Sequence, residues 1–189
     1  LKFYGGLGYL GVVCSAQASN SIANLRAYVV SFNPSAPISA TTQLTIPLNY
    51  AKGQATADNA TYNDEWHPWT DTWTYGIWRD GNPATQPEAK IDNVISYPMP
   101  MLSDIEFAKN GKMVIGFRDR GGDMMGSYNL FPVAVSDGVT GADYRVGGDI
   151  LCAALVSGSW VLESSGSCGG VAGARTTSPF EFYDDNISL

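Results

Sequence analysis

Asp104 and Glu106 stand one residue apart in "SDIEFAKNGKMVIGFRDR", residues 103–120. In an extended strand this spacing puts both carboxylates on one face and turns Ile105 and Phe107 to the other. Two carboxylates so placed can bind a cation or divide the work of acid and base. The simpler reading, and the favoured one, is a strand whose polar face meets water and has no chemical duty. The same stretch ends on Arg118, Asp119 and Arg120, where alternation sets the two arginines on one face and the aspartate on the other. Cross-strand ion pairs with carboxylates such as Asp104 or Asp149 are the favoured expectation for the arginines. The alternative is that their planar forks hold a carboxylate or sulfate of a glycan.

Asp119 and Asp123 lie four apart in "RDRGGDMMG", and Asp137 and Asp143 are set similarly in "DGVTGAD". Oxygen-rich glycine loops of this kind can hold Ca²⁺, although neither matches the twelve-residue EF-hand pattern with its closing glutamate. Ordinary turns require the same residues. Ca²⁺ is therefore carried forward as a candidate ligand, with Asp119 and Asp123 as its candidate site, and no other cofactor is expected.

The only histidine, His67, lies in "EWHPWTDTW" beside Trp66, Trp69 and Trp73, with Trp78 nearby. These rings could stack on sugars or on another protein, or could be the small core of their own segment. No nucleophile elbow or other nucleophile motif accompanies His67, which argues against a serine or cysteine hydrolase. Of the three cysteines, Cys152 and Cys168 flank "AALVSGSWVLESSGS", a hairpin with a returning loop, so a bridge between them is one reading of the spacing and leaves Cys14 over. Without a Cys-x-x-Cys pair, a zinc site is not expected.

The elements that must carry these residues are strands. Only 15% of the 189 residues are charged, while there are 21 glycines and 12% aromatics, a profile of strands joined by tight turns and an all-β class. A net charge of −7 with scattered basic residues argues against nucleic acid as a partner. No run of eighteen apolar residues is present, so no membrane span is expected, and "LKFYGGLGYLG" lacks the features of a signal peptide. Two Asn-x-Ser/Thr sequons, at Asn59 and Asn186, mark surface loops at best.

Residues 1–50 divide into four β-like runs, "LKFYGG", "LGYLGVVCSAQ", "LRAYVVSF" and "TQLTIPLNY". Residues 101–175 repeat the order with "SDIEFA", "KMVIGFRDR", "GGDILCAALV" and "GSWVLESS", the first two joined at Asn110-Gly111 and the last two at Ser157-Gly158. Between them, residues 51–100 form a Trp- and Pro-rich insertion, and residues 176–189 read as the start of a further unit. Repeated four-stranded antiparallel meanders are the signature of β-propeller blades, here too few to close a ring, and two such sheets could instead pair as a sandwich.

At "YGGLGYLGVVCSAQ", "LRAYVVSFNP", "IPLNY", "PMLSDIEFAKNGKMVIGFRDRGGD", "GGDILCAAL" and "GSWVLESSGSCGG" the chain resembles a propeller-like region of large exported bacterial surface proteins that carry SdrD-type B-repeat modules. The resemblance implies a secreted or cell-surface location and a chain that continues into further blades. It supplies no catalytic residues. The resulting expectation is an extracellular, non-enzymatic structural or binding module, part of a β-propeller completed by other segments or chains, serving assembly or adhesion. Two rivals stand beside it. One is a propeller-based glycan-active hydrolase or lyase using Asp104, Glu106 and the arginines. The other is a carbohydrate-binding module using the tryptophan-rich insertion.

Overall fold

In the first sheet the side-chain period of two is visible residue by residue. Leu7, Tyr9 and Val13 pack on the core while Leu10, Val12 and Cys14 between them are exposed, as a half-buried strand requires. The computed structural model describes residues 1–52, 65–70, 94–95, 97–125, 143–144, 147–174 and 182–183. Strands β1 (Lys2–Tyr4), β2 (Leu7–Cys14), β3 (Arg26–Asn33) and β4 (Ala36–Pro47) pair antiparallel in the order β1-β2-β3-β4. The β1–β2 turn uses Gly5 and Gly6 at φ +57° and +80°, angles that residues with a Cβ adopt only with strain.

The short strand β5 (Val94–Ile95) precedes the second meander, which comprises β6 (Pro100–Phe107), β7 (Met113–Asp119), β9 (Asp149–Val156) and β10 (Ser159–Leu162). Its order is β10-β9-β7-β6, again antiparallel throughout. Gly111, at φ +79°, turns β6 into β7 after Asn110. A six-residue helix, α1 (Arg120–Met125), follows β7 directly, and β8 (Asp143–Tyr144) pairs parallel with β5. The hairpin of β11 (Ser167–Cys168) and β12 (Val171–Ala172) follows β10.

The two sheets face each other across one core. Tyr9, Ala27, Val29, Leu44 and Ile46 of the first meet Ile105, Met113, Ile115, Phe117, Leu151 and Ala153 of the second. Gly11 has no side chain because Leu102 of the opposite sheet fills its place: a Cβ there would lie 2.2 Å from Leu102 Cδ2. Aromatic contacts extend the core, with Tyr4 stacked on Phe107 at 4.0 Å and Phe107 against Trp160 at 5.8 Å. Trp66, from the insertion, is wholly buried in the same core.

The molecule is thus all-β, with two antiparallel four-stranded sheets, and among the described residues no sheet closes on itself. Among the same residues no helix is long and apolar enough to cross a membrane. Of residues 176–189 only Phe182 and Tyr183 are described. They pack against Cys152, Ala154 and Cys168, on the side of the second sheet away from the shared core.

Candidate functional site

Among the described residues, a dense set of buried polar groups lies where β7 ends. Asp119 is 1% exposed, and three backbone amides converge on it. Its Oδ1 accepts the amides of Met99 at 2.9 Å and Gly121 at 2.8 Å, and its Oδ2 accepts the amide of Gly147 at 3.3 Å. The Tyr144 hydroxyl lies 3.3 Å from Oδ1, but its single proton is better placed for the Tyr97 carbonyl at 2.7 Å. Asp119 is therefore the N-cap of α1 and at the same time a bracket between the starts of β6 and β9. Burial pushes its carboxyl up to about 6, against the lowering effect of the hydrogen bonds. Burial, and after it the Asp119 charge, pushes the Tyr144 phenol well above its ordinary value.

Local sequence permits this crowding at its glycines. A Cβ on Gly121 would lie 2.0 Å from the Tyr144 hydroxyl, and one on Gly147 would lie 2.6 Å from Lys52 Nζ. Lys52 is itself 2% exposed, its ammonium 5.1 Å from the Trp66 ring centroid, a cation–π arrangement. The Trp66 indole N–H points to the Tyr50 hydroxyl at 3.4 Å, and that hydroxyl donates to buried Asp149. The neighbouring insertion residues are fastened similarly. Trp69 donates its backbone N–H to Ser15 O at 3.0 Å and its indole N–H to Pro100 O at 2.9 Å, and the Arg120 guanidinium lies 4.9 Å from its ring centroid. His67 stacks on Tyr97 at 4.2 Å and donates its backbone amide to Pro98 O.

The residues singled out in sequence do not converge on one site. Asp104 and Glu106 do share the exposed side of β6, opposite Ile105. Glu106 is ion-paired with Lys2 of the first sheet at 2.5 Å, while Asp104 accepts the Ile105 amide at 2.9 Å. Arg118 is exposed and pairs with Asp123, not with Asp104 or Asp149, and Arg120 turns away to Trp69. The reason is that the strand ends at Asp119, so the alternation that would hold both arginines on one face stops there. Asp119 and Asp123 face different partners, and the N–H groups aimed at Asp119 occupy the directions from which a Ca²⁺ ion would approach. No group of metal-ligating side chains is assembled among the described residues. Trp66 offers no ring face to a sugar because it is 0% exposed. Trp73, Trp78, Asp137, Asn59 and Asn186 lie outside the described residues, and of Asp143 only the backbone is described.

Cys152 and Cys168 form a disulfide, and both are wholly buried, whereas Cys14 is a free, exposed thiol. Beside the bridge, Glu163 accepts the Cys152 amide at 2.5 Å and the Phe182 amide at 3.3 Å, and Lys112 lies 4.3 Å over the Phe182 ring. Sequence reasoning missed this carboxylate and the Asp119 bracket alike. The paired glycines Gly121-Gly122 and Gly147-Gly148 were the one available signal for the latter.

Fold and site together define an all-β unit of two meander sheets, braced by buried polar groups. Two proteins of Dictyostelium discoideum are similar to it over nearly its whole length. Colossin-A is 32% identical over 200 residues, covering 99% of this chain and 1% of Colossin-A. Colossin-B is 31% identical over 203 residues, covering 97% of this chain and 5% of Colossin-B. The chain spans only a small part of the length of these relatives. No protein-family model matches the chain, and no solved structure does. These relatives correct the resemblance to bacterial surface proteins drawn from the strand motifs: the similarity runs to Dictyostelium proteins, and no link to SdrD-type bacterial proteins is shown. Short apolar strands with Gly turns recur in many β proteins, which is why those motifs misdirected the assignment.

Proposed function

We propose that this chain is an extracellular or cell-surface, non-enzymatic structural module that serves assembly or adhesion within a larger protein or complex. The observation that carries the reading is the use made of its ionisable groups. Asp119 and Glu163 accept backbone amides, Glu106 is paired with Lys2, Arg118 with Asp123, and Arg120 lies on Trp69. Each brings two segments of chain together. The buried Cys152–Cys168 bridge supports an oxidising compartment, because such bonds form and persist outside the reducing cytosol.

Neighbouring blades of a propeller share a core as these two sheets do, and Phe3, Leu10 and Val12 expose apolar surface on the first sheet. On the propeller reading a further sheet, from another segment or chain, covers that surface. The two-sheet sandwich is the rival architecture, and electron microscopy of the larger assembly separates a ring from a string of sandwiches.

The functional test is an activity and binding survey with the oxidised chain. Turnover on a panel of glycans, lost in D104N/E106Q, would replace the structural role with a hydrolase or lyase. Retention on cell-envelope or matrix material without turnover is the expected result.

A further inference from the structure

Three of the four edges of the two sheets carry the features that keep strands from pairing with other molecules. Strand β1 is three residues long and carries Lys2, β6 carries Asp104 and Glu106, and β10 is four residues long. Short length and charge are the usual protections of an exposed edge. Strand β4 has neither. It runs for twelve residues, pairs among the described residues with β3 alone, and no charged residue occurs between Arg26 and Lys52. Its prolines, Pro37 and Pro47, stand near or at its ends, and Ser39, Ala40, Thr41, Thr42 and Thr45 are exposed. Its pairing with β3 is irregular at two places. One is a bulge at Gln43, whose side-chain amide donates to Ser31 Oγ at 2.8 Å. The other is a register shift between Phe32 and Asn33 that skips residues 37–39, so the paired part nearest the middle of the strand is 40–47.

We propose that the open edge of β4 pairs antiparallel with β4 of a second copy of this chain, joining two first sheets into one continuous sheet across a two-fold axis. The proposal rests on the assembly role above and names a partner for it. The chemistry of the strand selects a second copy. An uncharged edge gains nothing from the charges of an acidic or basic peptide, while self-pairing sets no like charges opposite one another and puts Thr near Thr, a favourable cross-strand neighbour. Thr42 and Thr45 pair with Val30 and Tyr28 of β3, so they stand on the face that also carries Leu10 and Val12, paired with Val30 and Tyr28 from the other side. Joining two copies therefore makes that half-apolar face continuous. The net charge of −7 on each copy is repulsive, so screening by salt favours the pairing.

Sedimentation velocity of the oxidised chain over a concentration series tests this directly. The expected result is a monomer–dimer equilibrium that shifts toward dimer as salt is raised, with loss of the dimer in T42K/T45K, whose two positions are exposed. Hydrogen exchange on the wild-type chain supplies a second measurement that does not depend on any variant: amides within 36–47 slow at high concentration. A monomer at every concentration and salt overturns the proposal. So does a dimer that T42K/T45K leaves intact and that gives no added protection in 36–47, although that outcome leaves the assembly role standing. Turnover on a glycan would instead overturn the assembly role.

Discussion

The carboxylate of Asp119 holds the backbone amide of Met99 at 2.9 Å, while the amide of Arg120 returns a bond to the Met99 carbonyl at 2.8 Å. The end of β7 thus grips the start of β6 from both sides. The same carboxylate reaches Gly121 and Gly147, so one side chain fixes the entry to β6, the start of α1 and the approach to β9.

Removing that side chain leaves buried amides without acceptors. Each buried unsatisfied group costs about 1–3 kcal/mol, so D119A is expected to lose about 3 kcal/mol or more. D119N keeps one carbonyl oxygen and should lose less. Chemical denaturation of the three proteins measures the order, and equal midpoints for D119A and wild type would remove the bracket from the account.

Asp119 also sets a pH dependence. Its carboxyl is raised from 3.8 to about 6 in the folded chain, so the native state binds the proton more tightly than the unfolded state. The stability this proton confers is fully present below pH 3.8 and is lost as pH rises through about 6. Relative to D119N, the wild type should therefore gain stability on going from neutral pH toward pH 4. Parallel pH profiles for the two proteins would contradict it.

Face-to-face packing is tested at Gly11. Adding a methyl group there meets Leu102, and overpacking costs about 1–3 kcal/mol. Because Leu102 is the obstacle, G11A/L102A should recover part of the loss, a coupling that a double-mutant cycle reads out. Strictly additive effects would mean that the two sheets do not meet at this point.

The exposed pair Lys2–Glu106 should contribute little. Its side chains are 37% and 49% exposed, and surface ion pairs are worth about 0–1 kcal/mol. E106Q is expected to shift the unfolding midpoint only slightly, and less still at high salt. A large, salt-insensitive loss would show that the carboxylate does something beyond pairing with Lys2.

Much of the fold was legible in sequence because it follows from local alternation. "LGYLGVVC" and "DILCAALV" each lie within one strand of the structure, and the Asn110-Gly111 turn joins β6 to β7. The polar bracing was not legible. Three donors to Asp119 are backbone amides, from Met99, Gly121 and Gly147, and an amide leaves no mark in the choice of residue. Burial of Lys52 is equally silent, since it follows from Trp66 and Gly147 meeting it in space. Reading Arg118 and Arg120 as one face failed because alternation was extended past the strand's last residue.

The claim that this is an exported structural module is tested most directly by the state of Cys152 and Cys168 in protein recovered from its native source. Both fall in residues 146–175, a span without internal Lys or Arg that trypsin releases whole, and cleavage after Glu163 separates them. Differential alkylation, before and after reduction, reads the pair by mass. The expected result is protein outside the cells or on their surface in which both cysteines resist alkylation until reduced and the two Glu163-cleaved halves stay linked. Cytosolic protein with both thiols free would contradict it.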